Sequence, residues 1–123
     1  MGWQKTFSLS RRAKGCHLIT KEVDAQIRDG LKDVKVHRHL GTKSRSLTLN
    51  ENYDPDVRTD MDMALDHVVP ESLNWVHTDE GPDVSHTKSA LIGTTVTVPI
   101  TDGRLNLGTW QGIYLCEFRH MPQ

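Results

Sequence analysis

The sequence predicts an α+β domain, built mainly from antiparallel strands in a sandwich-like sheet with two to three helices. Residues 95–100 alternate polar and apolar side chains, which is the pattern of a half-buried strand. Residues 113–118 form an apolar run that is typical of a strand covered on both faces. Residues 54–68 combine a strong helix start with apolar residues at helical spacing. Strands and helices follow one another in mixed order, which favours α+β.

The amino-terminal part of the chain predicts two strands and a helix. Phe7 and Leu9 alternate with polar residues, which indicates a strand over 4–10. An apolar stretch predicts a second strand over 16–19. Thr20 can cap a helix that begins at Lys21, and Gly30 is expected to end it.

The best helix start in the chain is at Asp54. Its carboxylate can accept bonds from the free amides of the first turn, and Pro55 suits the first helical position. The apolar face of this helix is predicted to contain Val57, Met61, Ala64, Leu65 and Val68. The acidic residues Asp60, Asp62 and Asp66 are expected on the solvent side.

The central and carboxy-terminal parts predict further short elements. A strand is expected over 46–50, and a short helix over 85–91 with Gly93 just beyond it. Asp102 and Gly103 have the chemistry of a tight turn.

Composition limits both the size and the partners of the protein. The 123 residues suffice for one domain over 1–123, and the net charge of −1 gives no attraction to nucleic acid or membrane. We expect a cytoplasmic protein, since the amino-terminal residues do not resemble a signal peptide. In that compartment Cys16 and Cys116 are expected to be buried and reduced. The thin core, with 36% hydrophobic residues, favours association with further copies of the chain.

Two histidines mark the candidate site. His77 and His86 flank an acidic, irregular loop, and imidazole nitrogen is a common ligand of zinc. Their spacing matches no helical metal motif, so ordinary loop histidines with ordinary hydrogen bonds are the alternative.

Several polar residues near the strands allow two interpretations each. Asn50 either faces a pocket or satisfies turn backbone groups. Thr109 and Gln111 either bind a ligand, or Gln111 satisfies the backbone while Trp110 fills the core. Arg119 shares a face with Glu117, which predicts an ion pair or an anion-binding arginine.

Three blocks of sequence together resemble the YjbQ-like family: GRLNLGTWQGIYLCEFR, SLTLNENYDPDVRTDM and WVHTDEGPD. The resemblance runs from Trp3 to Arg119. It implies an antiparallel α+β fold assembled as a homotrimer, a small phosphorylated or heterocyclic ligand, and a divalent metal ion, most simply zinc. Some members carry a secondary thiamine-phosphate synthase activity, which this chain is therefore expected to share. The alternative is a non-catalytic metal- or ligand-binding or structural trimer with a degenerate pocket.

The resemblance also suggests a role for each candidate residue. Expected metal ligands are His77, His86 and His39. Expected catalytic residues are Glu80, Asn50 and Gln111. Expected substrate-binding residues are Ser44, Ser46, Thr109 and Arg119.

The chain departs from the family pattern at one signature histidine. Counting back from the strand at Ser46, that histidine position holds Thr42, and His39 lies three residues too early. Three interpretations stay open: a degenerate relative, a chain lacking loop residues, or a shifted register in which His39 takes the position.

Overall fold

The structure of the protein is a computed structural model, which describes residues 4–31, 38–41, 45–78 and 84–120. Within these residues it contains three helices: α1 (Thr20–Leu31), α2 (Pro55–Val68) and α3 (Ser85–Ile92). The strands are β1 (Gly15–Leu18), β2 (Arg38–Gly41), β3 (Ser46–Glu51), β4 (Thr95–Val98), β5 (Ile100–Thr101), β6 (Arg104–Leu105) and β7 (Gln111–Glu117). The described strands pair antiparallel throughout, in one sheet of order β1-β7-β3 and two pairs, β2-β4 and β5-β6. The predicted α+β class is confirmed.

The strand β7 is the centre of the fold, and alternate side chains of it face two cores. Ile113 and Leu115 point into a cluster that contains Val23 and Ile27 of α1, together with Ile19 just before the helix. Tyr114 and Cys116 point to the opposite face, where Met61 and Leu65 of α2 pack on them. The run from Gly112 to Phe118 is therefore buried on both sides, as its apolar sequence predicted.

The predicted strand over 4–10 is wrong. These residues form no strand in the structure; they run as irregular chain along α1, to which Lys5 donates a hydrogen bond at the Gln26 carbonyl (2.8 Å). Phe7 and Leu9 pack against the first core cluster. Their alternation therefore reflects packing against a helix, which can produce the same pattern as a strand.

The helix α2 begins as predicted, but its buried face is smaller than expected. The Asp54 carboxylate accepts a hydrogen bond from the amide of Asp56 at 2.9 Å. Val68 is 67% exposed, and no residue of α2 is fully buried. The acidic face is also not simply solvated, because Asp62 and Asp66 both pair with Lys14 of the segment that leads into β1.

Thr20 begins α1 but serves a different purpose from the predicted cap. Its hydroxyl accepts the amide of Ile113 on β7 at 2.9 Å, which joins the start of α1 to the central strand. The helix continues one residue past Gly30, to Leu31.

Cys16 and Cys116 are free thiols, as predicted. They face each other across β1 and β7, both buried, with their sulfur atoms 3.6 Å apart. The Cys116 thiol donates to Cys16; this hydrogen bond lowers the pKa of Cys16 and raises that of Cys116. Both groups therefore belong to the second core.

Candidate histidine and cleft site

The two predicted histidines meet in the structure. His77 lies in the loop after α2, and His86 lies in the first turn of α3. Their ring centroids are 5.3 Å apart, with the ring planes at 84° to each other. Both residues are exposed, so solvent and solutes can reach the pair. The side chains converge as the sequence predicted, and their role as metal ligands stays a prediction.

An open cleft of about 490 Å³ runs along α3 from His86 to Thr94. Its wall contains one face of α3, namely Ser85, His86, Ser89 and Ala90, together with Gly93, and Arg119 lies across from them. At 100° per residue these helical positions span about 140° of the helix, as expected for one face. The cleft is therefore a product of helix geometry rather than of a single loop.

Arg119 is positioned by the end of β7. Its amide donates to the Glu117 carboxylate at 3.1 Å, and its Nε donates to the Ser85 hydroxyl at 3.2 Å. The Glu117 carboxylate also accepts from Nε of Arg45 at 2.5 Å. The predicted contact between Glu117 and Arg119 thus runs through the Arg119 main chain. The side chain of Arg119 lies along the cleft.

A partly buried ionic cluster joins α3 to α2 on the side away from the cleft. Lys88 is 1% exposed; its ammonium lies 2.5 Å from Asp66 of α2 and 5.6 Å from the centre of the Phe118 ring. Asp66 also pairs with Lys14 at 2.8 Å. Burial raises the pKa of Asp66, but hydrogen bonds from Lys14 and Lys88 outweigh it, so the pKa is lowered overall. Burial likewise opposes the charge on Lys14, and its contacts with Asp66 and Asp62 raise its pKa overall.

Three other predicted site residues lie at the opposite end of β7. Asn50 and Gln111 are near its first residues, whereas Arg119 follows its last. Gln111 and Glu117 are six residue steps apart along the strand, which is about 20 Å. Within one chain, Asn50, Thr109 and Gln111 therefore do not join the cleft.

The hydrogen bonds of these residues go to their own end of the fold, and the Asn50 amide also contacts Met61 Sδ of α2 at 3.4 Å. Gln111 Oε1 accepts the amide of Gly108 at 2.7 Å, and Asn50 Oδ1 accepts the amide of Glu51 at 2.8 Å. The Thr109 carbonyl accepts from the Asn52 side chain at 3.3 Å. Trp110 is 59% exposed and contacts Tyr53, so the interpretation of Trp110 as core filler is wrong.

The remaining predicted residues cannot be placed in the cleft. Ser46 is fully buried on β3, opposite Cys116. His39 belongs to β2, opposite Thr97, and its side chain lies outside the described part of the structure. Glu80 and Ser44 also lie outside the described residues.

Within 4–31, 38–41, 45–78 and 84–120, no three His, Cys, Asp or Glu side chains are grouped so that they could hold a metal ion. In the same residues, no helix has the length and apolar character to cross a membrane.

Sequence reasoning missed Ser85 and Ser89. Both are buried and both line the cleft beside His86. Their spacing of four residues, next to a predicted site histidine on a predicted helix, is the signal that could have identified them.

The family model for UPF0047 YjbQ-like proteins matches residues 5–122, so the chain belongs to this family. Relatives include the UPF0047 protein YjbQ of Escherichia coli O157:H7, with 44% identity over 97% of this chain and 89% of the relative. The UPF0047 protein YugU of Bacillus subtilis is 40% identical over 81% of this chain and 76% of its own length.

Solved structures show the same fold. An uncharacterised conserved protein of the YjbQ/UPF0047 family from Clostridium acetobutylicum has a TM-score of 0.76 and 33% identity, covering 88% of this chain and 84% of that protein. A protein of unknown function from Sulfolobus solfataricus has a TM-score of 0.80 over 94% of this chain and 84% of its own. At 20% identity, that likeness concerns the fold alone.

Proposed function

We propose that the protein is a small metal-dependent enzyme in which His77 and His86 hold a divalent cation, most simply zinc. The contact between the two imidazole rings, with centroids 5.3 Å apart, carries this proposal. Because a zinc–nitrogen bond is about 2.0–2.1 Å long, two imidazoles on one tetrahedral ion have ring centres about 5 Å apart. The observed spacing fits a shared ion.

The substrate we propose is a small phosphorylated or heterocyclic metabolite, with thiamine-phosphate synthesis as a secondary activity. Such a reaction joins a pyrimidine pyrophosphate to a thiazole phosphate, and a divalent cation would supply electrostatic stabilisation of the leaving group. The chain itself contributes Arg119, a cation fixed beside Ser85 at the cleft wall. Its part would be to bind and orient an anionic group of the substrate.

A second candidate is a non-catalytic metal- or ligand-binding protein. It is favoured by the separation of Asn50 and Gln111 from the cleft, because the described residues then bring no expected catalytic carboxylate or amide to the histidine pair. Such a protein would bind the same ion as the proposed enzyme but would catalyse no reaction. The two are separated by assaying condensation of the two thiamine precursors with and without a chelator.

The metal test uses the two histidines separately. We expect His77→Ala and His86→Ala each to weaken zinc binding at least tenfold, because each removes one of two protein ligands. Calorimetric zinc titration of the chelator-treated protein measures this. His67→Ala is the matched control, since His67 is an exposed histidine on α2 and should leave zinc binding unchanged. Wild-type zinc affinity in both site variants would contradict the proposal.

We also propose a homotrimer. Large apolar side chains are exposed on the isolated chain, including Val76 (97%), Tyr53 (74%) and Trp110 (59%), and association would cover such groups. Light scattering coupled to size exclusion should give three times the 13.9 kDa chain mass. A monomer at micromolar concentration would exclude this assembly.

A further inference from the structure

One buried hydroxyl in the cleft wall has no hydrogen-bond partner among the described residues. Ser89 is 8% exposed, and among the described residues its Oγ has no hydrogen-bond partner. A buried polar group without a partner lowers stability, so the fold alone would be better served by alanine at this helical position. Ser89 is one of the residues that line the cleft, and rotation about one side-chain bond can turn its hydroxyl toward whatever enters.

The surroundings of Ser89 favour a negatively charged ligand. Of the described residues that line the cleft, none is acidic, while Arg119 is a permanent cation. The cleft also passes the start of α3, where the N-cap residue Val84 makes no side-chain cap hydrogen bond. The positive end of the helix dipole adds to the attraction for an anion.

Ser85 and Ser89 stand one helical turn apart, at about 6 Å along the axis. Arg119 is held against the first of them through the contact between Nε and Oγ. The guanidinium lies on one side and the two hydroxyls on another. Such an arrangement of donors suits a ligand group with several acceptor oxygens. Beyond them the wall consists of Ala90, Gly93 and Thr94, which carry no charge.

We propose that this cleft binds the phosphate group of a small phosphorylated ligand, and that Arg119, Ser85 and Ser89 are its binding residues. The volume of about 490 Å³ leaves room for the neutral part of a metabolite along Ala90 and Gly93. This inference rests on the proposed function only in placing such a ligand beside the histidine pair. It requires neither bound metal nor turnover.

The test is calorimetric titration of chelator-treated protein with inorganic phosphate, and with acetate at equal ionic strength. We expect one phosphate site per chain and weaker binding of acetate. Ser89→Ala should weaken phosphate binding about tenfold to a hundredfold, the effect of one hydrogen bond to a charged group. Arg119→Lys should weaken it about tenfold or more, because lysine keeps the charge but loses the fork of donors.

Ser46→Ala is the matched control. Ser46 is a second buried serine whose hydroxyl has no partner among the described residues, but it does not line the cleft. Both alanine variants should keep or raise the urea midpoint, and Ser46→Ala alone should bind phosphate as the wild type does. Equal phosphate affinity of Ser89→Ala and wild type, no phosphate binding, or equal acetate binding would each overturn the inference. If the protein binds phosphate but shows no zinc binding or no turnover, the proposed function is wrong and the phosphate site stands.

Discussion

Asp66→Asn is expected to destabilise the protein by about 3 kcal/mol, the usual effect of leaving a buried charge without its partner. The charge in question is Lys88, which is 1% exposed and has its ammonium 2.5 Å from the Asp66 carboxylate. The substitution also takes one of two carboxylates from Lys14. Urea unfolding at neutral pH measures the effect.

Lys88→Met is the control for this prediction. Removing the buried cation leaves Asp66 paired with Lys14 and 45% exposed, so we expect a change within about 1 kcal/mol. A loss in Lys88→Met as large as in Asp66→Asn would show that packing, rather than an uncompensated charge, dominates.

The same cluster sets a pH dependence. Because the pKa of Asp66 is lowered in the folded protein, its contribution is present above the unfolded value of about 3.9 and is lost as pH falls through the folded pKa. The pKa of Lys14 is raised from 10.5, so its contribution is present below that value and is lost as pH rises through the folded pKa. Asp66→Asn should lack the acidic part of this profile.

Arg45→Met should cost a similar amount, about 3 kcal/mol, because Glu117 would keep a buried carboxylate without its cation. The Glu117 side chain is 1% exposed and accepts from Nε of Arg45. The remaining described donor to it is the amide of Arg119, which is weaker than a charged partner. Since that amide also positions Arg119, phosphate binding should weaken together with stability.

Glu117→Gln provides the comparison for Arg45→Met. Arg45 is 21% exposed, so water can reach its guanidinium when the carboxylate is removed, and we expect a loss of about 1 kcal/mol. The double variant Arg45→Met/Glu117→Leu should recover much of the stability lost by Arg45→Met. Equal losses of stability in Arg45→Met and Glu117→Gln would contradict the expectation that removing the cation costs more than removing the carboxylate.

The fold was predictable where local chemistry and burial agree. Asp54 and Pro55 start α2 as expected, and the apolar run 113–118 is the doubly covered central strand. The strand prediction for 4–10 was wrong because alternation of polar and apolar residues does not distinguish strand pairing from packing against a helix. The prediction that the acidic face of α2 is simply solvated was wrong. Its partners Lys14 and Lys88 come from distant parts of the chain, and spacing within a helix cannot reveal them.

The candidate site was predictable only in part. The convergence of His77 and His86 followed from their shared loop and from the family resemblance. Asn50 and Gln111 were predicted to join the same site as the histidines. In the structure both lie at the end of β7 that is far from the cleft. Ser85 and Ser89 escaped notice because serine on a helix carries no signal until burial and a missing hydrogen-bond partner are known.

The position of β7 has a consequence for how the chain is made. It is the last of the described strands to be synthesised, yet both β1 and β3 pair with it rather than with each other. During translation those two strands have no pairing partner, and their apolar faces stay exposed until β7 leaves the ribosome. Pairing across about 100 residues also slows folding, since a long loop has to close first. The nascent chain is thus the stage at which this protein is most open to aggregation and to capture by chaperones.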